Sequence, residues 1–231
     1  MTAALKAIPG LRTIARACRR IVARVSPKGD TFPGSAEYWE NRYVANGDSG
    51  VGSYGKFAEF KAQVLNQFVS ENDVRTVLEF GCGDGNQLRL ANYPKYLGFD
   101  VSNAAIATCR QLFANDHSKS FESIANYSGE TGDLSMSLDV IYHLVEDDVF
   151  DQHMEVLFRS SKRFVVIYAS DSDDNDGYEN THVRHRHFTR WIQNHAPLWE
   201  LREHVPNKYP YEGDYLTGTF ADFYIYEKSS C

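Results

Sequence analysis

Val77-Leu78-Glu79-Phe80-Gly81-Cys82-Gly83-Asp84-Gly85-Asn86 reads as a short apolar strand, a turn with glycine at alternate positions, and the opening of a helix. Glycine has no Cβ, so such a turn takes backbone angles closed to other residues and admits a ligand almost against the main chain. The helix start behind it offers backbone N–H groups without intrahelical partners. A phosphate cradle is one reading, and two details oppose it. The order is G-x-G-x-G rather than G-x-G-x-x-G, and no Gly-Lys-Ser/Thr follows. Glu79, two residues ahead of the first glycine, would repel a pyrophosphate and suits a cationic group instead.

Outward from this turn, short apolar strands alternate with helical patterns. A strand over Arg75–Phe80 leads into the glycines, and a crossover helix begins over Asn86–Ala91. Tyr96–Asp100 is a second strand ending in an acid, and Asn103 opens a helix over Ala104–Ala114. A weaker strand, Phe121–Ala125, precedes a polar loop over 126–133. Ser137–Leu144 reads as a fourth strand running into a loop, Glu146–Phe158 as a helix, and Arg163–Tyr168 as a buried fifth strand. Trp199–His204 and Phe220–Glu227 look like two final strands. The pattern predicts an α/β fold, a doubly wound and mostly parallel sheet with ligands at the carboxyl ends of its strands. Asp100, 15 residues beyond Gly85, is placed to accept hydrogen bonds from ribose hydroxyls.

A chain of 231 residues suffices for one such domain with some decoration. Its four cysteines, Cys18, Cys82, Cys109 and Cys231, form no C-x-x-C pair, which fits free thiols in a reducing cytoplasm. The net charge of −7 is uneven: residues 1–29 contain seven Lys and Arg and no acid, and the rest holds all 31 acids. An acidic body does not favour long nucleic acids, whose binding rests on phosphate contacts. A small neutral substrate fits better. No run of 18 apolar residues exists to span a membrane. Residues 1–35 read as a basic amphipathic helix and linker, with Leu5, Ile8, Leu11, Ala15, Cys18, Ile21, Val22 and Val25 at helical spacing. Peripheral membrane contact, packing on the domain or on a partner subunit as in a homodimer, and an organellar presequence stay open for it.

Between this segment and the strands, Ser35 is positioned to cap a helix through Tyr38-Trp39-Glu40 and Arg42-Tyr43. Glycine-rich residues 47–55 and a helix over Lys56–Glu71 follow. The aromatic helix and glycine-rich segment, residues 36–56, have the character of a lid that closes over a site and excludes water.

E-x-G-x-G-x-G after a strand resembles motif I of the class I S-adenosylmethionine-dependent methyltransferases, and the resemblance covers about residues 36–228. It implies their seven-stranded Rossmann-like sheet, completed by the C-terminal hairpin, in a domain spanning 36–231 with an N-terminal helical extension. It also implies that Glu79 lies near the amino-acid end of S-adenosylmethionine, with Gly81, Cys82, Gly83 and Asn86 lining the turn. Asp100 then takes the ribose, Val101 and Ser102 lie beside the adenine, and Tyr38, Arg42 and Ser53 of the lid contact the methionine part. Asp139, in the fourth strand, joins the donor site.

Methylation of an alcohol requires removal of a proton from a weak acid, hence a general base or a metal ion. His143, just past the fourth strand, stands where several O-methyltransferases of this fold place the base, with Asp139 and Tyr142 beside it. Asp139-x-x-Tyr142-His143 also resembles the E-x-x-E-H element of metal-dependent O-methyltransferases acting on small-RNA termini and in ubiquinone synthesis. That likeness implies a Mg²⁺ site of Asp139, His143, Glu146 and His185, although Tyr142 replaces one acid. Asp171–Gly177 has the look of a calcium loop, but its glycine is displaced and no closing glutamate follows. Tyr-Trp-Glu-x-Arg-Tyr from Tyr38, Gly-Ser-Tyr-Gly from Gly52, His-Val-Arg-His-Arg from His182 and Pro-Asn-Lys-Tyr-Pro from Pro206 resemble the group containing the mycobacterial methylmannose-polysaccharide O-methyltransferases. A mannoside hydroxyl is the acceptor this implies. A phenolic or quinone precursor, and a non-catalytic S-adenosylmethionine-binding regulator, are the other readings.

Overall fold

A computed structural model describes residues 32–178 and 181–229. The basic segment expected at the amino terminus lies outside the described residues as far as Thr31. Helices α1 (Ser35–Val44) and α2 (Gly55–Glu71) precede strand β1 (Val77–Phe80) and β2 (Tyr96–Asp100). There follow α3 (Asn103–Leu112), β3 (Lys119–Ser123), β4 (Gly132–Leu138), α4 (Asp147–Arg159), β5 (Ser161–Ala169), α5 (Phe188–His195), β6 (Trp199–Val205) and β7 (Asp222–Lys228). The seven strands form one sheet in the order β3-β2-β1-β4-β5-β7-β6. β1 to β5 run parallel, and β7 inserts antiparallel between β5 and β6. This is the Rossmann-like methyltransferase sheet with its C-terminal hairpin. No helix among the described residues is long and apolar enough to cross a membrane.

The central strands are buried on both faces, as a sheet covered by crossovers requires. Side chains alternate between faces along a strand. Val77 packs with Leu65 and Phe68 of α2, whereas Leu78 and Phe80 pack with Met154 and Leu157 of α4. Glu79 therefore faces the α2 side, next to Tyr96, which donates to Glu79 Oε2 at 2.6 Å.

Several local expectations change. The crossover after the glycines is only a 3₁₀ turn, Gln87–Leu90. Pro94 drives the preceding residue out of the helical region, so too little chain remains before β2 for a full helix. α2 touches this turn instead, with the Asn66 amide donating to the carbonyl of Leu90 at 2.8 Å. The fourth strand ends at Leu138, and Ile141–His143 is a 3₁₀ turn. The buried hydroxyls of β4 have partners, Ser135 with Ser160 and Ser137 with His153, both at 2.9 Å, so polar residues can occupy a central strand. The apolar Ile141 and Tyr142 pack beneath the loop instead. The third strand lies two residues earlier than expected. Ser102, not Asn103, caps α3, its Oγ accepting from Ala105 N at 3.1 Å. α5 begins directly after His187, where no helix was expected.

Ser35 does not cap α1. It is the first helical residue, and its backbone N–H and Oγ bind Glu146 Oε1 and Oε2 at 2.8 and 2.6 Å. Helix α1 is thereby fastened to the entrance of α4.

Candidate active site

A cavity of about 470 Å³ opens at the carboxyl edge of β1, β2 and β4, walled also by α1 and residues 47–55, the segment expected to be a lid. Eight of the expected donor-binding residues line it: Ser53, Glu79, Gly81, Cys82, Gly83 and Asp100, with Val101 and Asp139. Tyr38, Arg42, Asn86 and Ser102 are not on its wall. Tyr38 stacks on His182, with centroids 4.4 Å apart. Arg42 turns to the loop after α1, its Nε and Nη2 donating to the carbonyl and Oδ1 of Asp48 at 2.6 and 2.9 Å. The Asn86 amide donates to the Ser53 carbonyl at 2.7 Å, fixing the lid from below.

The three glycines have positive φ, 93° at Gly81, 56° at Gly83 and 76° at Gly85. A Cβ at Gly81 would lie 2.4 Å from Val140 Cγ2, and one at Gly83 would lie 2.3 Å from Ser49 Oγ. The turn thus leaves room for the loop after β4 and for the lid as well as for a ligand. Asp84 ties lid to turn: Oδ2 accepts from Ser49 N at 2.9 Å and from the Tyr54 hydroxyl at 2.7 Å.

Asp100 is buried, and accepts from Gly83 N and Ser102 N, each at 2.9 Å. Burial raises its pKa, and these backbone donors oppose the rise. Glu79 is also buried. Removal from water pushes its carboxyl up to about 7, while the Tyr96 hydroxyl and the Lys61 ammonium pull the other way. Such a group is half charged near neutrality and poised to pair with a cation.

Asp139 follows β4 directly and has φ 58°, an uncommon conformation for a residue other than glycine. Its Oδ1 accepts from the Tyr142 hydroxyl at 2.7 Å and its Oδ2 pairs with Lys61 Nζ at 2.6 Å. Tyr142 is buried and its hydroxyl is committed to Asp139, so it supports the site from below rather than lining it.

His143 does line the cavity. Its Nδ1 lies 2.9 Å from the His182 carbonyl oxygen, which can only accept, so Nδ1 carries the hydrogen and Nε2 keeps a lone pair. Burial lowers its pKa to about 4, so the ring is neutral near pH 7. The imidazole stacks on His182 at 5.2 Å and meets Trp39 edge-on at 4.9 Å, which fixes its plane.

The expected magnesium ligands do not come together. Glu146 spends both oxygens on Ser35, and His185 is buried with Nδ1 2.6 Å from Ser170 Oγ. Both Asp139 oxygens are engaged as above. No group of three or more His, Cys, Asp or Glu among the described residues is arranged to hold a metal ion. Asp139, His143, Glu146 and His185 thus do not fit a Mg²⁺ site, because each carboxylate is already satisfied by the protein.

Several wall residues were missed. Lys61 is 1 % exposed, an exceptional burial for lysine. The signal was present: Phe57, Ala58, Lys61, Ala62, Leu65 and Phe68 follow helical spacing and put Lys61 on the apolar stripe of α2. Trp39, Tyr43, Ser49 and Gln87 also line the cavity, as do Gln152 and His153 of α4.

Residues 78–165 match a family model described as a methyltransferase domain. A comparison with curated protein sequences found no match. Among solved structures, the N-methyltransferase NodS from Bradyrhizobium japonicum WM9, in complex with S-adenosyl-L-homocysteine, is 18% identical with a TM-score of 0.65. That match covers 85% of this chain and 100% of the other. Magnesium protoporphyrin IX methyltransferase ChlM from Synechocystis PCC 6803, with bound S-adenosylmethionine, is 12% identical with a TM-score of 0.59 over 84% of this chain and 97% of its own. The methyltransferase domain of bacterial CtHen1-C is 15% identical with a TM-score of 0.57, covering 74% and 97%.

Proposed function

We propose that this chain, whose fold is shared with solved methyltransferases and whose residues 78–165 match a methyltransferase-domain model, is an S-adenosylmethionine-dependent O-methyltransferase acting on a hydroxyl of a small carbohydrate. A mannoside is the acceptor favoured by the sequence resemblance. The observation that carries the reading is His143, a neutral imidazole on the cavity wall with Nδ1–H committed to a carbonyl and Nε2 available.

The bound donor supplies an electrophilic sulfonium methyl. His143 takes the acceptor proton on Nε2 as the oxygen attacks, the C–S bond breaks, and S-adenosylhomocysteine is left. Trp39 and His182 hold the ring in plane, and the Ser35–Glu146 and Asp84–Ser49 contacts keep the lid over the site, excluding water. Glu79 and Asp100 hold the amino-acid end and the ribose. N-methylation, the chemistry in the NodS name, acts on a neutral amine and does not demand such a base, so the His143 variant separates the two. The first test is calorimetry with S-adenosylhomocysteine followed by transfer of labelled methyl to mannosides; a folded sample that binds no S-adenosylhomocysteine would overturn the reading.

A pH dependence follows from Glu79. Its carboxyl titrates at about 7 in the ligand-free protein, and pairing with the ligand's ammonium requires the charged form. Below pH 7, binding must first remove a proton, so affinity weakens as pH falls, approaching about tenfold per unit. S-adenosylhomocysteine binding measured between about pH 6 and about pH 8 shows this slope in the wild type and loses it in Glu79→Gln.

A further inference from the structure

Lys61 projects from the buried face of α2 onto the cavity wall. Among the described residues its Nζ has one hydrogen-bond partner, Asp139 Oδ2 at 2.6 Å, and it lies 5.2 Å from the centroid of the Tyr168 ring. An ammonium carries three donors, and burial makes an unused one costly. Lys61 is also close enough to Glu79 for its charge to act on that carboxyl. Asp139 and Glu79 in turn give one oxygen each to Tyr142 and Tyr96. Where β1 and β4 end, the wall therefore presents one cation between two carboxylates. Gln87 of the same wall adds Oε1, a buried acceptor with no partner among the described residues.

This arrangement suits a ligand end bearing both a carboxylate and an ammonium. The carboxylate answers the spare donors of Lys61, and the ammonium answers Glu79 and the unpartnered oxygen of Gln87. Arg42, the cation expected to meet the methionine part, is off the wall and doubly bonded to Asp48. We propose that Lys61, and not Arg42, binds the carboxylate of the methyl donor's amino-acid end, with Asp139 holding the ammonium group of Lys61 in position. The proposal rests on the S-adenosylmethionine reading of the cavity and assigns the residue that recognises one end of that ligand.

The test compares two probes by calorimetry, S-adenosylhomocysteine and its decarboxylated analogue, which has the same nucleoside, thioether and amine but no carboxylate. The wild type is expected to prefer S-adenosylhomocysteine by at least about tenfold, the size of one charge-assisted hydrogen bond. In Lys61→Met that preference falls to about one, because only the carboxylate-bearing probe loses a partner. Arg42→Met keeps the wild-type preference, and Lys61→Arg retains much of it. If Lys61→Met weakens both probes equally, Lys61 is structural and the proposal fails. It fails too if Arg42→Met removes the preference. Lys61→Met leaves the partly buried Asp139 without its cation. Should that variant not fold, the double variant Lys61→Gln/Asp139→Asn removes the pair as a unit, and retention of the preference there overturns the proposal. A wild-type protein that binds neither probe refutes the donor reading itself, a different result from a preference that ignores Lys61.

Discussion

Replacement of His143 by alanine is expected to lower turnover of a hydroxyl acceptor by at least about 100-fold, within the range lost when a positioned general base is removed. S-adenosylhomocysteine affinity is expected to stay within a few-fold of wild type, because the proposed donor contacts are Glu79, Asp100 and the turn rather than the imidazole. The pH profile gives an independent signature. A base must be unprotonated to act, and burial lowers the His143 pKa to about 4. At saturating donor, which removes the Glu79 contribution, activity should therefore hold through the usual histidine range and fall only as pH drops toward 4. A limb near 6.5 would mean that the catalytic base is a group other than this ring. Turnover unchanged in the alanine variant would remove the base altogether and favour an acceptor that carries no proton to lose.

Gly83→Ala is expected to raise the S-adenosylhomocysteine dissociation constant by at least about tenfold. Two costs combine. A residue with a Cβ pays about 1–2 kcal/mol in the left-handed region, where Gly83 sits at φ 56°. The added methyl would also stand 2.3 Å from Ser49 Oγ and 2.9 Å from the Tyr43 hydroxyl, so the lid must move. Ser49 Oγ accepts from Asp84 N at 3.0 Å, and its displacement breaks the tie between lid and turn. Limited proteolysis reads this directly: residues 47–55 become cleavable in the variant at protease levels that spare the wild type. Gly50→Ala is the control. Its φ of 84° carries backbone strain too, but a Cβ there meets nothing within 4 Å, so its binding loss should be the smaller. Equal affinity in Gly83→Ala and wild type would contradict the close approach of lid and turn.

The fold was legible because its strongest signals are local. The alternation of apolar strands with helical patterns pointed to the parallel sheet, and the methyltransferase resemblance supplied the antiparallel pairing of the two late strands. Legibility failed where tertiary contacts outweigh local pattern. The apolar run Val140–Leu144 reads as strand, yet the chain turns at Asp139 and buries Ile141 and Tyr142 beneath the loop. The strand proper contains Ser135 and Ser137, whose hydroxyls find partners only in the folded structure.

The residues expected on the donor side meet on one wall because Glu79, Gly81, Gly83 and Asp100 lie within one strand-turn-strand unit. Arg42 and Tyr38 lie off that wall because their partners, Asp48 and His182, are decided by loop conformation rather than by spacing. The supposed metal ligands failed because residue type shows donor capacity and not prior commitment, and Ser35 already occupies both oxygens of Glu146. Lys61 was overlooked although helical spacing places it on the buried stripe, where a charge needs an explanation.

Incubation of the protein with S-adenosylmethionine carrying a ¹³C-labelled methyl, and with a panel of mannosides, tests the central claim most directly. Two-dimensional NMR of the product then shows which atom received the label. Transfer by His143 predicts a labelled methoxy group on a sugar carbon, formed by the wild type and nearly absent with His143→Ala. Label found on nitrogen or carbon of another acceptor, or a methoxy product formed equally by the two proteins, would contradict it.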